Sequence, residues 1–298
     1  MSAATLPAAA VAAATVEDLP KRRNRVLAKF VRNRSALIGG VIVVAFIALA
    51  ILAPLVATHD PLKTSFLTVR KPPSGLHWFG TDELGRDLFS RWLFGARTSL
   101  MAGVVSVAIA VFCGVPFGLL AGYYGGLVDG AISRVTEALL SIPFLILAIA
   151  LAAFLGPSLT NAMIAIGVSA MPIFARLTRG QVLTVKAEDY VEGARAIGLP
   201  DRWILARYIL PNVLPQVMVQ ATLTIAAAII AEASLSFLGL GQQPPNPSWG
   251  SMLNTAKNFM TQAPWMSVSP GIAIFLAVLG FNLLGDGLRD ALDPRDHG

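Results

Sequence analysis

Long runs without charge constrain this chain more than any other feature. Residues 36–56, 98–128, 138–175, 213–231 and 270–285 hold no Asp, Glu, Lys, Arg or His. About 20 apolar residues in a helix cross a hydrocarbon core of roughly 30 Å. No water in that core can satisfy backbone N–H and C=O groups, so such runs must be helical. Charged residues make up only 13% of the 298, and mean hydropathy is +0.67. A soluble domain carries about 25% charged residues. The composition therefore specifies an all-α, multi-pass membrane protein.

The order of segments follows from these runs. Residues 1–20 are Ala-rich without periodicity and read as a disordered tail. Residues 21–35 form a basic segment, and 36–57 a first span. A polar loop, 58–97, lies outside. Residues 98–289 are the core, with spans two to six. Within it, 100–120 is the second span, and Gly122, Gly125 and Gly126 form a turn. Asp129, Arg134 and Glu137 mark a short cytoplasmic loop. Gly156-Pro157-Ser158 splits the next apolar run into spans three and four. Span four, 159–174, is short unless it borrows residues past Arg176. Residues 213–231 are span five, 239–265 an outer loop, 270–285 span six, and 290–298 a cytoplasmic tail.

Six spans place both ends on one side. Sixteen of the 23 Lys and Arg fall on the side assigned to the cytoplasm, seven on the other. This bias puts both termini in the cytoplasm. The net charge of +6 belongs to this arrangement and not to nucleic-acid binding. Cys113, the only cysteine, excludes an internal disulfide and reads as a small packed side chain.

Between spans four and five lies the longest mixed stretch, residues 186–212. At helical spacing Tyr190, Val191, Ala194 and Ile197 share one face, with Glu188, Asp189, Glu192 and Arg195 opposite. Gly198 supplies a helix stop. Pro200 and Asp201 start a second helix. Its apolar side carries Trp203, Ile204, Tyr208 and Ile209, and Pro211 ends or kinks it. A compact hairpin at the membrane surface, 186–211, is expected. Glu192 and Arg195 could pair at i,i+3 for a few tenths of a kcal/mol.

Chemistry of its own is not visible in the chain. The proposed spans lack titratable residues through their middles, so no ion relay is present. Glu232 and Asp286 sit near span ends and read as satisfied end groups. No phosphate-cradling Gly-x-x-x-x-Gly-Lys occurs. No Gly-x-Ser-x-Gly elbow occurs, and no catalytic residue is assigned. His59, His77 and His297 are scattered, without metal-ligand spacing, so no metal site is expected. A transporter with neither relay nor ATP loop needs a neighbour to move it.

Several blocks carry a resemblance that supplies such a neighbour. Glu192-Gly193-Ala194, Gly198 and Leu210-Pro211 resemble the EAA loop of ABC importer permeases, with Gly193 where that pattern has Ala. Residues 32–39 (RNRSALIG), 79–87 (FGTDELGRD), 232–241 (EASLSFLGLG), 244–250 (PPNPSWG) and 281–294 are similar to the C-type permeases of dipeptide, oligopeptide and nickel importers. The resemblance implies a six-span type I importer fold in a bacterial inner membrane. It implies a B-type permease as the other half of the path, and an extracytoplasmic binding protein that delivers a peptide. Cytoplasmic ATPase subunits, two chains or one fused, would hold ATP and Mg, leaving no cofactor here. Glu192, Gly193, Ala194, Arg195, Gly198, Leu199 and Pro200 would then couple to the ATPase. Trp249 and Gly250 would meet the binding protein or cap the cavity mouth; the plainer reading of Trp249 is an interfacial anchor. Nickel or another small solute is the alternative cargo, and an ATP-independent channel the alternative class.

Overall fold

The computed structural model describes residues 30–292. The expected tail 1–20, most of the basic segment 21–35, and residues 293–298 lie outside the described residues. Those described form an all-helical bundle. Five helices are long and apolar enough to cross a membrane, or six spans if one bent pair counts as a crossing.

Helix α1 (Arg34–Val56) begins where the Asn33 side chain accepts from the Ala36 N–H. It turns Ala36, Gly39, Val43, Phe46, Ala50 and Ala53 inward, at alternating spacings of three and four. Val41, Val44, Ile51 and Leu55 point away, where lipid solvates them. The inward stripe packs chiefly on the last helix, α10 (Trp265–Leu292). At the shared end, Asn33 Nδ2 donates to Asp290 Oδ2 at 2.9 Å.

Helix α2 (Leu88–Tyr124) is 37 residues long. Residues 88–97 are thus its first turns and not part of a loop. Asp87 caps it, accepting from Ser90 N–H at 2.8 Å. Gly114, Gly118 and Gly122 repeat every four residues along α2 and face α5 (Leu159–Lys186). A Cβ at Gly114 or Gly118 would lie 2.5 Å from the carbonyl oxygen of Met171 or Ala175. Small residues let two membrane helices approach this closely, and van der Waals packing then holds them. Gly122 is accordingly a packing residue and not part of a turn, which falls instead at Gly125 and Gly126.

The expected cytoplasmic loop around Asp129 is helical: α3 (Gly126–Leu140), amphipathic, leads into α4 (Phe144–Leu155) through a 91° bend. Twelve residues rise only about 18 Å, so α4 cannot span alone. Where one straight third span was expected, α3 and α4 form a bent pair. Span four extends past Arg176 to Lys186, with Ser158 as its N-cap. There Arg179 Nη2 donates to Asp129 Oδ2 at 2.7 Å, tying α5 to α3.

After α6 (Asp189–Ala196), helix α7 (Asp201–Ile204) passes through a π-turn, Leu205–Ile209, into α8 (Leu210–Phe237). Pro211 therefore does not end the helix. The wider turn upstream gives its ring room, and its missing N–H falls near the helix start. The segment 239–265, expected to be an outer loop, contains a further helix, α9 (Trp249–Ala256). The last helix runs on through Asp286, Arg289 and Asp290, so the polar tail begins later than the hydropathy suggests.

Candidate functional site

The hairpin between α5 and α8 is built from α6, a two-part turn and α7. Gly198 has φ +77°, a conformation open to glycine at little steric cost. Its effect is to bring the Leu199 N–H back to the Ala194 carbonyl at 3.2 Å, closing the helix end. Pro200 then occupies the N-cap position of α7, and Asp201 its first turn.

The expected apolar face of α6 is split. Val191 and Ala194 are buried and join the core cluster with Val182, Val185, Ile204 and Ile209. Ile197 is 76% exposed, and Tyr190 is also exposed. On α7, Trp203 is 51% exposed. Beside it an open groove of about 560 Å³ is lined by Arg202, Trp203, Ala206, Arg207 and Pro211. Gly193 and Glu192 are exposed, and a Cβ at Gly193 would meet nothing within 4 Å.

The pairing of Glu192 with Arg195 does not occur. The Arg195 guanidinium lies 5.1 Å from the Tyr123 ring centroid instead, within cation–π range. Among the described residues Glu192 makes no ion pair. Tyr123, at the end of α2, was not singled out by sequence reasoning, yet it anchors the hairpin. Its hydroxyl donates to Asp201 Oδ1 at 2.6 Å, and its carbonyl accepts from Lys186 Nζ at 2.5 Å. Asn212 Nδ2 donates to the Tyr190 hydroxyl at 3.2 Å and fastens α6 to α8. Partial burial and the nearby Glu188 charge hold the Tyr190 phenol above its ordinary pKa.

The opposite end of the bundle has the reverse construction. Segment 57–87 folds onto the start of α2 around buried charges. Arg86 Nε donates to Asp82 Oδ2 at 2.6 Å, and Arg86 Nη2 to Glu83 Oε1 at 2.8 Å. Arg91 Nε approaches the same Asp82 oxygen at 3.3 Å, while its Nη1 donates to the Pro61 carbonyl at 2.9 Å. Burial, and then the Asp82 charge, push the Glu83 carboxyl above its usual range. Glu232 is fully buried nearby and accepts from Ser99 Oγ at 2.9 Å and Ser236 Oγ at 2.7 Å. It is a satisfied group joining α2 to α8.

Trp249 and Gly250 do not lie at a surface. Trp249 is 0% exposed; its indole N–H donates to the Trp92 carbonyl at 3.1 Å, and its ring meets Phe46 edge-on at 5.5 Å. Gly250 is buried against Ala233 and Ser236. The indole is thus an internal wedge between α1, α2 and α9, and not an anchor at the membrane interface. The histidines also need correction. His59 and His77 stack with ring centroids 4.7 Å apart, next to Asp87. His297 lies outside the described residues.

Residues 114–296 match the family described as binding-protein-dependent transport system inner membrane component. Residues 23–73 match the N-terminal TM domain of oligopeptide transport permease C. The dipeptide transport system permease protein DppC of Alkalihalophilus pseudofirmus is 47% identical over 264 residues, 89% of this chain and 87% of that one. The probable D,D-dipeptide permease DdpC of Escherichia coli is 48% identical, covering 87% of each. The glutathione permease GsiD of Pectobacterium atrosepticum is 46% identical, covering 90% and 89%. The inward-facing MetNI methionine ABC transporter shares the fold, with TM-score 0.56 at 22% identity, over 69% of this chain and 98% of that one.

The chain belongs to the binding-protein-dependent inner-membrane permeases of ABC importers, in the oligopeptide permease C branch. Its family places ATP hydrolysis in partner subunits and substrate delivery in a binding protein.

Proposed function

We propose that this permease forms half of the path by which an ATP-driven importer takes up short peptides, of dipeptide to glutathione size. A B-type permease would supply the other half. The hairpin would seat in the ATPase partner, which holds ATP and Mg, with both termini on that cytoplasmic side. The peptide assignment rests on the substrates named for DppC, DdpC and GsiD relatives.

The coupling assignment rests on one observation: the hairpin is bolted inward at Tyr123 and apolar outward at Ile197 and Trp203. A face that packs on its own chain through Val191 and Ala194 can pass a push to α5 and α8. A face carrying exposed Ile197 and Trp203 is suited to a partner. Gly193 lets that partner approach, because no side chain stands in the way, and Glu192 is available for a basic group on it. Leu199 and Pro200 set the turn that presents Trp203. A bulky residue at Ala194, buried against its own chain, would unseat the hairpin itself and is a poorer probe than one at Gly193. Trp249 and Gly250 would act from inside, by fixing the shape of the wall at the other end.

The test uses the complete importer in proteoliposomes, with Gly193→Trp in this subunit. Peptide uptake should fall tenfold or more, with the permease still assembled and its thermal stability unchanged. Wild-type uptake would refute coupling through this surface. Sidedness is tested with Cys113→Ser chains carrying a cysteine at Gly193 or at Gly75, both without neighbours at the Cβ position. An impermeant thiol reagent should reach the first only from the cytoplasmic side and the second only from outside. The reverse labelling would overturn the orientation.

A further inference from the structure

We propose that His59, His77 and Asp87 form a binding site for one divalent transition-metal ion of the zinc type, at the end of the bundle opposite the hairpin. The three residues are spread along the segment that joins α1 to α2: His59 just past the α1 C-cap, His77 in its second half, and Asp87 at the N-cap of α2. Their ligand atoms all lie within 4.8 Å of one another. His77 Nδ1 is 2.9 Å from Asp87 Oδ1, and His59 Nδ1 is 3.8 Å from the same oxygen. Ligands about 2.0–2.1 Å from a tetrahedral zinc sit roughly 3.3 Å apart. The two separations to Asp87 bracket that value, and the imidazoles, within 4.8 Å of each other, would draw together as the ion binds.

The surroundings hold the ligands as a metal site requires. Asp87 Oδ2 accepts from the Ser90 N–H at 2.8 Å and the Ser90 hydroxyl at 2.7 Å, which leaves Oδ1 turned to the imidazoles. The Ser90 Oγ also accepts from the His59 N–H at 3.1 Å, so one residue positions two ligands. Such outer partners fix ligand orientation and raise affinity. A simple His77–Asp87 hydrogen bond accounts for the shorter contact. His59 has a partner of its own, the Thr58 hydroxyl, and its ring nitrogen faces the same Asp87 oxygen beyond hydrogen-bond distance. The Thr58 hydroxyl, 3.0 Å from His59 Nδ1, is the group the ion would displace. The His59 side chain is 35% exposed, which gives access and leaves a fourth position for water. Two imidazoles and one carboxylate select zinc, nickel or copper over magnesium or calcium, which take oxygen ligands.

The bound ion would staple the end of the first span to the start of the second. This assignment does not depend on the transport reading.

The experiment titrates the full-length chain, purified in detergent without a histidine tag and carrying His297→Ala, with zinc against a chromophoric chelator. The chain has three histidines, so only the clustered pair then remains. One zinc per chain is expected, with at least tenfold weaker binding in His59→Ala and no competition from millimolar magnesium. Failure to bind stoichiometrically, or equal affinity in His59→Ala, overturns the site. If His59→Ala does not purify as a single species, His59→Phe keeps the ring stack and removes the ligand, with the same outcomes. In the unsubstituted chain, zinc should protect His59 and His77, but not His297, from carbethoxylation. Equal modification with and without zinc also overturns it.

Discussion

The two ends of this bundle treat polar and apolar groups in opposite ways. At the 57–91 end, charge is taken inside: Asp82, Arg86 and Arg91 are buried and answer one another. At the hairpin, apolar groups are put outside: Ile197 and Trp203 face solvent while Glu192 stands unpaired within the described residues. The first region answers Asp82, Arg86 and Arg91 within a single chain. The second, on the proposed reading, is completed by a neighbour against it. Charge density alone would have ranked them alike, since both are polar interruptions between apolar runs. What separates them is where each group finds its partner.

The largest effect should come from breaking the buried charges. Asp82→Ala leaves Arg86 and Arg91 without their shared carboxylate, and should cost about 3–5 kcal/mol. The expected result is loss of folded permease, read as a collapsed melting temperature in detergent. A melting temperature within a degree or two of wild type would show that the knot does not hold this end. The hairpin should respond in function first. Gly193→Trp should cut ATP-driven uptake tenfold or more with stability unchanged, as set out above.

Tyr123→Phe tests the bolt between the two behaviours. It removes one hydrogen bond to a charged acceptor, worth about 1.5–3 kcal/mol. Faster amide exchange is expected across 189–204, with a partial loss of uptake and little change at the other end. Uniform exchange in both regions would mean that the hairpin is not held at Tyr123. The smallest effect is Gly193→Ala. It should stabilise α6 by up to about 1 kcal/mol, because alanine is the better helix former and nothing lies near its Cβ. Uptake should stay at the wild-type level.

Much of the fold was legible because a bilayer forbids ambiguity: an uncharged run of 20 residues has one outcome there. The limits of the helices were less legible. Hydropathy marks only the part of a helix that sits in lipid, so it missed the first turns of α2 from Leu88 and the last turns of α10 through Asp290. Helix α3 had a readable signal, with Leu127, Val128, Ala131, Ile132 and Val135 recurring at three- and four-residue spacing, but its charges suggested a loop. The glycine repeat 114–118–122 was also in plain view and was partly assigned to a turn.

At the candidate site, the stop at Gly198 and the start at Asp201 follow from local chemistry, and both can be read from neighbours in the chain. Tyr123, 78 positions before Asp201, cannot. The same holds for Trp249: its burial depends on Trp92 and Ser99, about 150 positions away, and no local pattern announces it. His59 and His77 looked scattered because the spacing rule tests short motifs, whereas the fold returns the chain to Asp87.

The pairing of α1 with α10 has a consequence in time. A ribosome feeds the first helix into the bilayer long before the last one exists. Until then the stripe from Ala36 to Ala53 has α2 against only part of it, where Phe46 meets Trp92 and Ala53 meets Phe89 and Leu93, and lipid or an insertion chaperone along the rest. The stripe is therefore covered in full only at the final step, when α10 arrives and Asp290 reaches Asn33, and a chain stopped before that point would leave its opening helix half packed.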